Sequence, residues 1–417
     1  MKTIKAPGIK YLKFTIFTSY LLLLTSNLIT FVQAEVKLTP VIDVSLLGGK
    51  YFLDAEAASF QARGDAFISP VVKLSDSHEL IPVFSGYYSG TQDVQELAGG
   101  GVLTRERRGM DFSLKYVYTR DFDKYKPRVS YSKALIRETK DETWGNGLFD
   151  YATFSLGFEA EQERPHGTFT ESYDYYSVKY PNYSTLLSQS ATVIDTTTFN
   201  ELSQNAGADT MDNVNHRLAF GYTWFPEPLV LTAGYDFIYR SYGDQALVTQ
   251  PAAGSAYFKS DKRTDLVQNA GFKITQNMKP LLLSARAHVA YLSSNQNSYD
   301  SSRTKYIPDY YDYFELGVAP AVTFGLKNGA QFGFSVAYKR LYYLGRFKQD
   351  ISGNYSPDKI KQDTWLTSLS ARYPLMSRFF ARASYNYQLS SSNMRYEANY
   401  RYNYRANTYL FGVEWEF

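Results

Sequence analysis

The sequence closes on Arg405-Ala-Asn-Thr-Tyr-Leu-Phe-Gly-Val-Glu-Trp-Glu-Phe417, and this stretch restricts the fold more than any other. One parity reads Tyr409, Phe411, Val413, Trp415, Phe417; the other reads Leu410, Gly412, Glu414, Glu416. Period-two alternation of strand length gives one aromatic face and one that is mostly small or acidic. A strand of this kind requires a partner on each edge and an apolar medium against one face.

The same alternation recurs along the chain. Leu229, Leu231, Ala233, Tyr235, Phe237 and Tyr239 share a parity, against Thr232, Gly234, Asp236 and Arg240. Phe332, Phe334, Val336 and Tyr338 oppose Gly333, Ser335 and Lys339, and Phe379, Ala381, Ala383, Tyr385 and Tyr387 oppose Arg382, Ser384, Asn386 and Gln388. A soluble sandwich also alternates, so the connections decide. Short ones at Asp76-Ser77, Asp121-Phe122-Asp123, Pro165-His166-Gly167, Pro226-Glu227, Asn277-Met278-Lys279, Lys327-Asn328-Gly329 and Leu375-Met376-Ser377 carry turn residues. Longer, polar, tyrosine-rich connections lie between them, and short and long alternate without a break. The fold class is therefore all-β: a transmembrane antiparallel up-and-down β-barrel of sixteen strands, closed because lipid offers no partner to a strand edge. The strands are expected at 38–52, 66–74, 79–90, 109–120, 125–138, 147–161, 168–180, 212–225, 228–242, 263–276, 280–294, 311–326, 330–345, 362–374, 378–391 and 405–417. Alternation is weakest in the first three and in 168–180, and loss of one hairpin would leave fourteen.

Aromatic residues make up 17% of the 417, with 38 Tyr against 4 Trp, while the mean hydropathy is −0.35. That suits a tyrosine-girdled barrel better than a soluble enzyme. Lys2, Lys5, Lys10 and Lys13, an apolar stretch from Phe14 to Val32 and Val32-Gln33-Ala34 read as a secretory signal over residues 1–34, cleaved so that one barrel domain spans 35–417. An uncleaved anchor is the other reading. All 41 acidic residues follow Ala34, so the mature part is close to neutral and nucleic acid loses its support as a partner. There is no cysteine, hence no disulfide or thiolate metal site.

Tyr409, Phe411, Val413, Trp415 and the terminal Phe417 resemble the closing strand of bacterial outer-membrane β-barrel proteins. The resemblance implies an integral, multi-pass position in the outer membrane of a Gram-negative cell. It also implies contacts with lipid and lipopolysaccharide, and recognition of these five residues by the barrel-assembly machinery. On this reading a polar residue at Phe417 impairs assembly more than pore properties. It is nearly silent about activity.

Setting the parity opposite the greasy face toward the lumen places Lys115, Arg128, Glu159, Arg217, Asp236, Arg240, Lys273, Arg286, His288, Glu315, Lys339, Arg372, Arg382 and Glu414 inside, with Asp43, Asp111, Glu161 and Glu416. These groups either form opposed charge patches that orient polar solutes or simply solvate a wet interior. Asp43, Glu414 and Glu416 meet at the seam of first and last strands and require Arg382 or another base across from them. The longest connection, about Pro181 to Met211, carries enough apolar residues to fold inward as a constriction; standing outward, it would be a surface epitope or partner site.

Tyrosines cluster in the long connections at Tyr173-Asp174-Tyr175-Tyr176, Tyr310-Tyr311-Asp312-Tyr313, Tyr342-Tyr343, and Tyr396, Tyr400, Tyr402 and Tyr404 among Arg395, Arg401 and Arg405. They read as an interfacial girdle or as a glycan platform. No enzyme is expected. Among the four histidines His78 and His166 fall in short turns, and His216 lacks a local Ser or Asp constellation. No cofactor or metal spacing is present, and Gly99-Gly100-Gly101 reads as loop flexibility. Two functions stay open: a channel for diffusion or export of polar solutes or polymer, and an interaction barrel whose outer loops bind glycan, lipopolysaccharide or a protein.

Overall fold

The computed structural model describes residues 37–54, 59–95, 102–138, 142–183, 209–249, 257–300, 303, 305–397 and 401–417. The proposed signal, the glycine run at 99–101 and residues 184–208 of the longest connection lie outside them. Among the described residues every regular element is a strand.

The strands are β1 (Lys37–Thr39), β2 (Ile42–Leu53), β3 (Ser59–Ile68), β4 (Val71–Lys73), β5 (His78–Gln95), β6 (Val102–Arg120), β7 (Asp123–Arg137), β8 (Tyr151–Arg164), β9 (Gly167–Lys179) and β10 (Asn213–Trp224). They continue with β11 (Leu229–Thr249), β12 (Tyr257–Met278), β13 (Leu281–Ser294), β14 (Ser298–Asp300), β15 (Lys305–Ile307), β16 (Tyr313–Gly325), β17 (Gln331–Gln349), β18 (Tyr355–Met376), β19 (Phe379–Ser392) and β20 (Tyr404–Glu416). Proline has no amide hydrogen for a ladder. Pro40 accordingly splits β1 from β2, and Pro70 splits β3 from β4, so each pair forms one barrel strand. Eighteen segments thus make a closed antiparallel barrel of sixteen strands, with β14 and β15 as a separate hairpin.

Closure is made by β2 and β20, in the register Asp43↔Glu416, Ser45↔Glu414 and Leu47↔Gly412. Ile42 and Phe417 exchange both backbone hydrogen bonds at 2.8 Å, so the seam is paired to the last residue. The second barrel strand begins at Ser59, earlier than the alternation at 66–74 indicates. Its outward-parity residues include Ala62, Gly64 and Ala66, too small to announce an apolar face.

One face of the sheet carries exposed large apolar residues on nearly every strand, among them Phe112, Phe158, Phe220, Phe272, Phe334, Leu369 and Phe411. From Leu229 to Tyr239 this face runs ten steps of β11, about 33 Å along the strand and about 25 Å across a membrane at ~40° tilt. That is the height of the apolar band of a transmembrane barrel. Rings gather near its two edges: His78, Tyr118 and Tyr125 stack at the short-turn end, and Tyr173, Tyr175 and Tyr239 surround His216 toward the long-loop end.

Past the band, paired strands continue into the long connections. β11 and β12 pair up to Thr249↔Tyr257, and β17 and β18 up to Gln349↔Tyr355, each with register shifts.

Candidate functional site: the charged face of the barrel

Strand pairing places all the charged residues expected to share a parity on the face opposite the apolar band. They do not spread evenly. Among the described residues of this face three groups of ion pairs form, besides the single pair Arg63–Asp65 on β3 at 2.8 Å, with bases between them that have no carboxylate in ion-pair range.

The largest group crosses six strands, β7 to β12. Lys126 on β7 meets Glu159 and Glu161 on β8 at 2.8 and 2.6 Å, and Lys124 meets Glu161 and Glu163 at 3.1 and 2.5 Å. Arg128 bonds Glu159 at 2.9 Å and grips Asp174 on β9 with Nε and Nη2 at 2.7–3.0 Å. The bond to Asp174 spans β8 at Gly157, where a Cβ would lie 2.0 Å from the Asp174 carboxylate. Arg217 on β10 continues the chain to Asp174 at 3.5 Å and to Asp236 on β11. Nearer the long loops Arg240 bonds the buried Asn215 at 2.9 Å and approaches Asp265 on β12 at 3.7 Å; Arg263 holds both oxygens of Asp265 at 2.9 Å. Charged groups bonded in this way brace neighbouring strands and keep their carboxylates compensated.

The second group is small. Glu315 on β16 takes His288 from β13 at 3.0 Å and Lys339 from β17 at 3.3 Å.

The third sits at the closing seam. The carboxylates of Asp43, Glu414 and Glu416 offer oxygens within 4.8 Å of one another. Arg372 meets Glu414 at 3.2 Å and Glu416 at 2.5 Å, and Arg382 meets Glu414 at 3.3 Å. The second base that three clustered acids require is thus Arg372, on β18. Two guanidinium groups already occupy this cluster, so its donor set does not suit a metal ion.

Between the groups and among the described residues, Lys273 and Arg286 face each other in the β12–β13 register with no carboxylate in ion-pair range, whereas Lys115 makes no direct ion pair but lies near Glu159. Asp111 accepts from Ser85 at 3.2 Å. Sequence parity missed Lys124 and Lys126, which flank a turn, Asp174, which sits in the tyrosine-rich strand, and Arg263 with Asp265. Of the histidines, His78 lies 2.5 Å from the Tyr116 hydroxyl and His216 2.8 Å from that of Tyr173, both in aromatic surroundings.

A closed antiparallel barrel with an exposed apolar band outside one face and charged residues on the other has one compatible setting, a lipid bilayer. The architecture is that of a bacterial outer-membrane β-barrel. No family model matches the chain, and no curated protein matches it in sequence. Solved structures similar to it include in-vitro folded OmpT of Vibrio cholerae in its trimer form (TM-score 0.47, 12% identity, 91% of this chain and 99% of that one). OccD3 of Pseudomonas aeruginosa has a TM-score of 0.44 and 6% identity over 90% and 91% of the two chains. An anion-selective porin from Comamonas acidovorans has a TM-score of 0.44 and 8% identity over 92% and 100%. Likenesses this distant bring no solute and no activity to this chain.

Proposed function

We propose that the chain forms an aqueous channel through which small polar solutes diffuse across the outer membrane. One observation carries the reading: several polar and charged side chains on the face away from lipid keep broad solvent access, 57% for Arg63, 47% for Lys339, 46% for His288 and 41% for Arg382, while the buried ones, such as Asp174 and Glu414, are held in ion pairs. A filled interior would bury such groups. Sixteen strands make a barrel wide enough to hold water between opposite walls. Bases and acids are mixed along the wall, which favours polar solutes of either sign over a single ion. Lys273 and Arg286 form the local exception and are the residues best placed to favour anions.

Swelling of liposomes loaded with the folded chain tests this. Isotonic glycine or arabinose should cause rapid swelling, falling off steeply for trisaccharides; liposomes that stay as tight as protein-free ones reject the channel.

A further inference from the structure

At the long-loop end three groups of residues enclose a cavity of about 550 Å³: Ser298, Asp300, Arg303 and Ile307 of the β14–β15 region with Tyr310, the tip of β17–β18, and Met394, Tyr396 and Tyr402. Met394 and Tyr402 of its lining belong to a buried apolar cluster with Ile360, against which Tyr343 and Tyr396 pack. Hydrogen bonds hold the walls. The Gln349 amide donates to the Met394 sulfur at 3.2 Å, and Glu397 Oε1 accepts from the amides of Tyr402 and Asn403 at 2.9 and 2.8 Å. The cavity therefore exists before any ligand arrives.

Its two guanidinium groups differ. Arg303 is answered by Asp300 at 3.5 Å and lies over the Tyr396 ring at 4.9 Å. Arg346 sits 4.3 Å from the ring centres of both Tyr310 and Tyr343, and its Nε donates to the Tyr310 carbonyl at 3.0 Å. No described carboxylate lies within ion-pair range of it, so its outer nitrogens are fixed in direction and have donors to spare. Tyr355 donates to Asp300 at 2.7 Å; burial, then this bond, raises its pKa and keeps it a neutral donor.

We infer that this pocket binds an acidic saccharide, with pyranose faces against the tyrosine rings and a carboxylate on Arg346. Aromatic faces beside hydroxyl and amide groups match a ring that is apolar on its faces and polar at its rim. A guanidinium held flat between two rings presents the paired donors that a carboxylate accepts. A neutral sugar leaves Arg346 unmatched, and a small inorganic anion leaves the tyrosines unused. The site lies at the long-loop end and uses none of the charged residues on which the channel reading rests, so it stands or falls apart from that reading.

Isothermal titration of the detergent-folded full chain with trigalacturonate, maltotriose and inorganic phosphate tests it. Trigalacturonate should bind, maltotriose at least about tenfold more weakly, and Arg346→Gln should weaken trigalacturonate by about tenfold or more while single-channel conductance stays unchanged. The proposal is overturned by absence of trigalacturonate binding, by equal binding to the R346Q chain, or by phosphate binding as tightly as the saccharide.

Discussion

Arg372 shows what single residues do in this barrel. It stands 3.3 Å above the Phe380 ring and holds Glu414 and Glu416, of which Glu414 is almost fully buried. Removing one partner of a buried pair costs about 3–5 kcal/mol, and the water along this wall reduces that. Arg372→Met should lower unfolding stability by about 2 kcal/mol, read as a lower urea midpoint, with Glu414→Gln costing less because it removes a charge instead of stranding one. An R372M chain as stable as the parent would show that Arg382 alone suffices. The face on which each charge lies was legible in the sequence, since lipid forbids charge on the alternate residues. The partners were not. Arg128 reaches Asp174 across an intervening strand only because Gly157 has no side chain, a relation set by register and invisible in a linear pattern.

At the scale of strands, the seam has the tightest tolerance. A Cβ on Gly412 would lie 1.8 Å from the Leu46 carbonyl oxygen, and one on Gly49 would lie 1.7 Å from that of Tyr409. Since these contacts are with backbone, no rotamer change relieves them. Gly412→Ala should therefore cut the yield of heat-modifiable, folded barrel severalfold in detergent refolding, while alanine at Gly243, which faces open space, should not. Equal yields would mean that the seam adjusts freely. Strand number and short turns were readable because turn residues recur wherever the chain reverses. The extensions of β11, β12, β17 and β18 were not, because beyond the membrane both faces of a strand meet water and alternation no longer separates them. The tyrosine clusters were visible in sequence, but the convergence of Tyr310, Tyr343, Tyr396 and Tyr402 into one pocket depends on the packing of three loops, and Tyr173 and Tyr175 stay apart around His216.

For the whole molecule, wall charge and conduction are linked. Replacing Lys273 and Arg286 together with glutamate should move the reversal potential in a salt gradient toward cation preference, because these adjacent bases have no acid to balance them among the described residues. An unchanged potential would place the selective region elsewhere. The central claim is that water runs through the barrel, and single-channel recording of the detergent-folded chain in a planar bilayer tests it most directly. Discrete conductance steps that persist over time are predicted; a silent bilayer, from protein that is folded and heat-modifiable, would contradict the account.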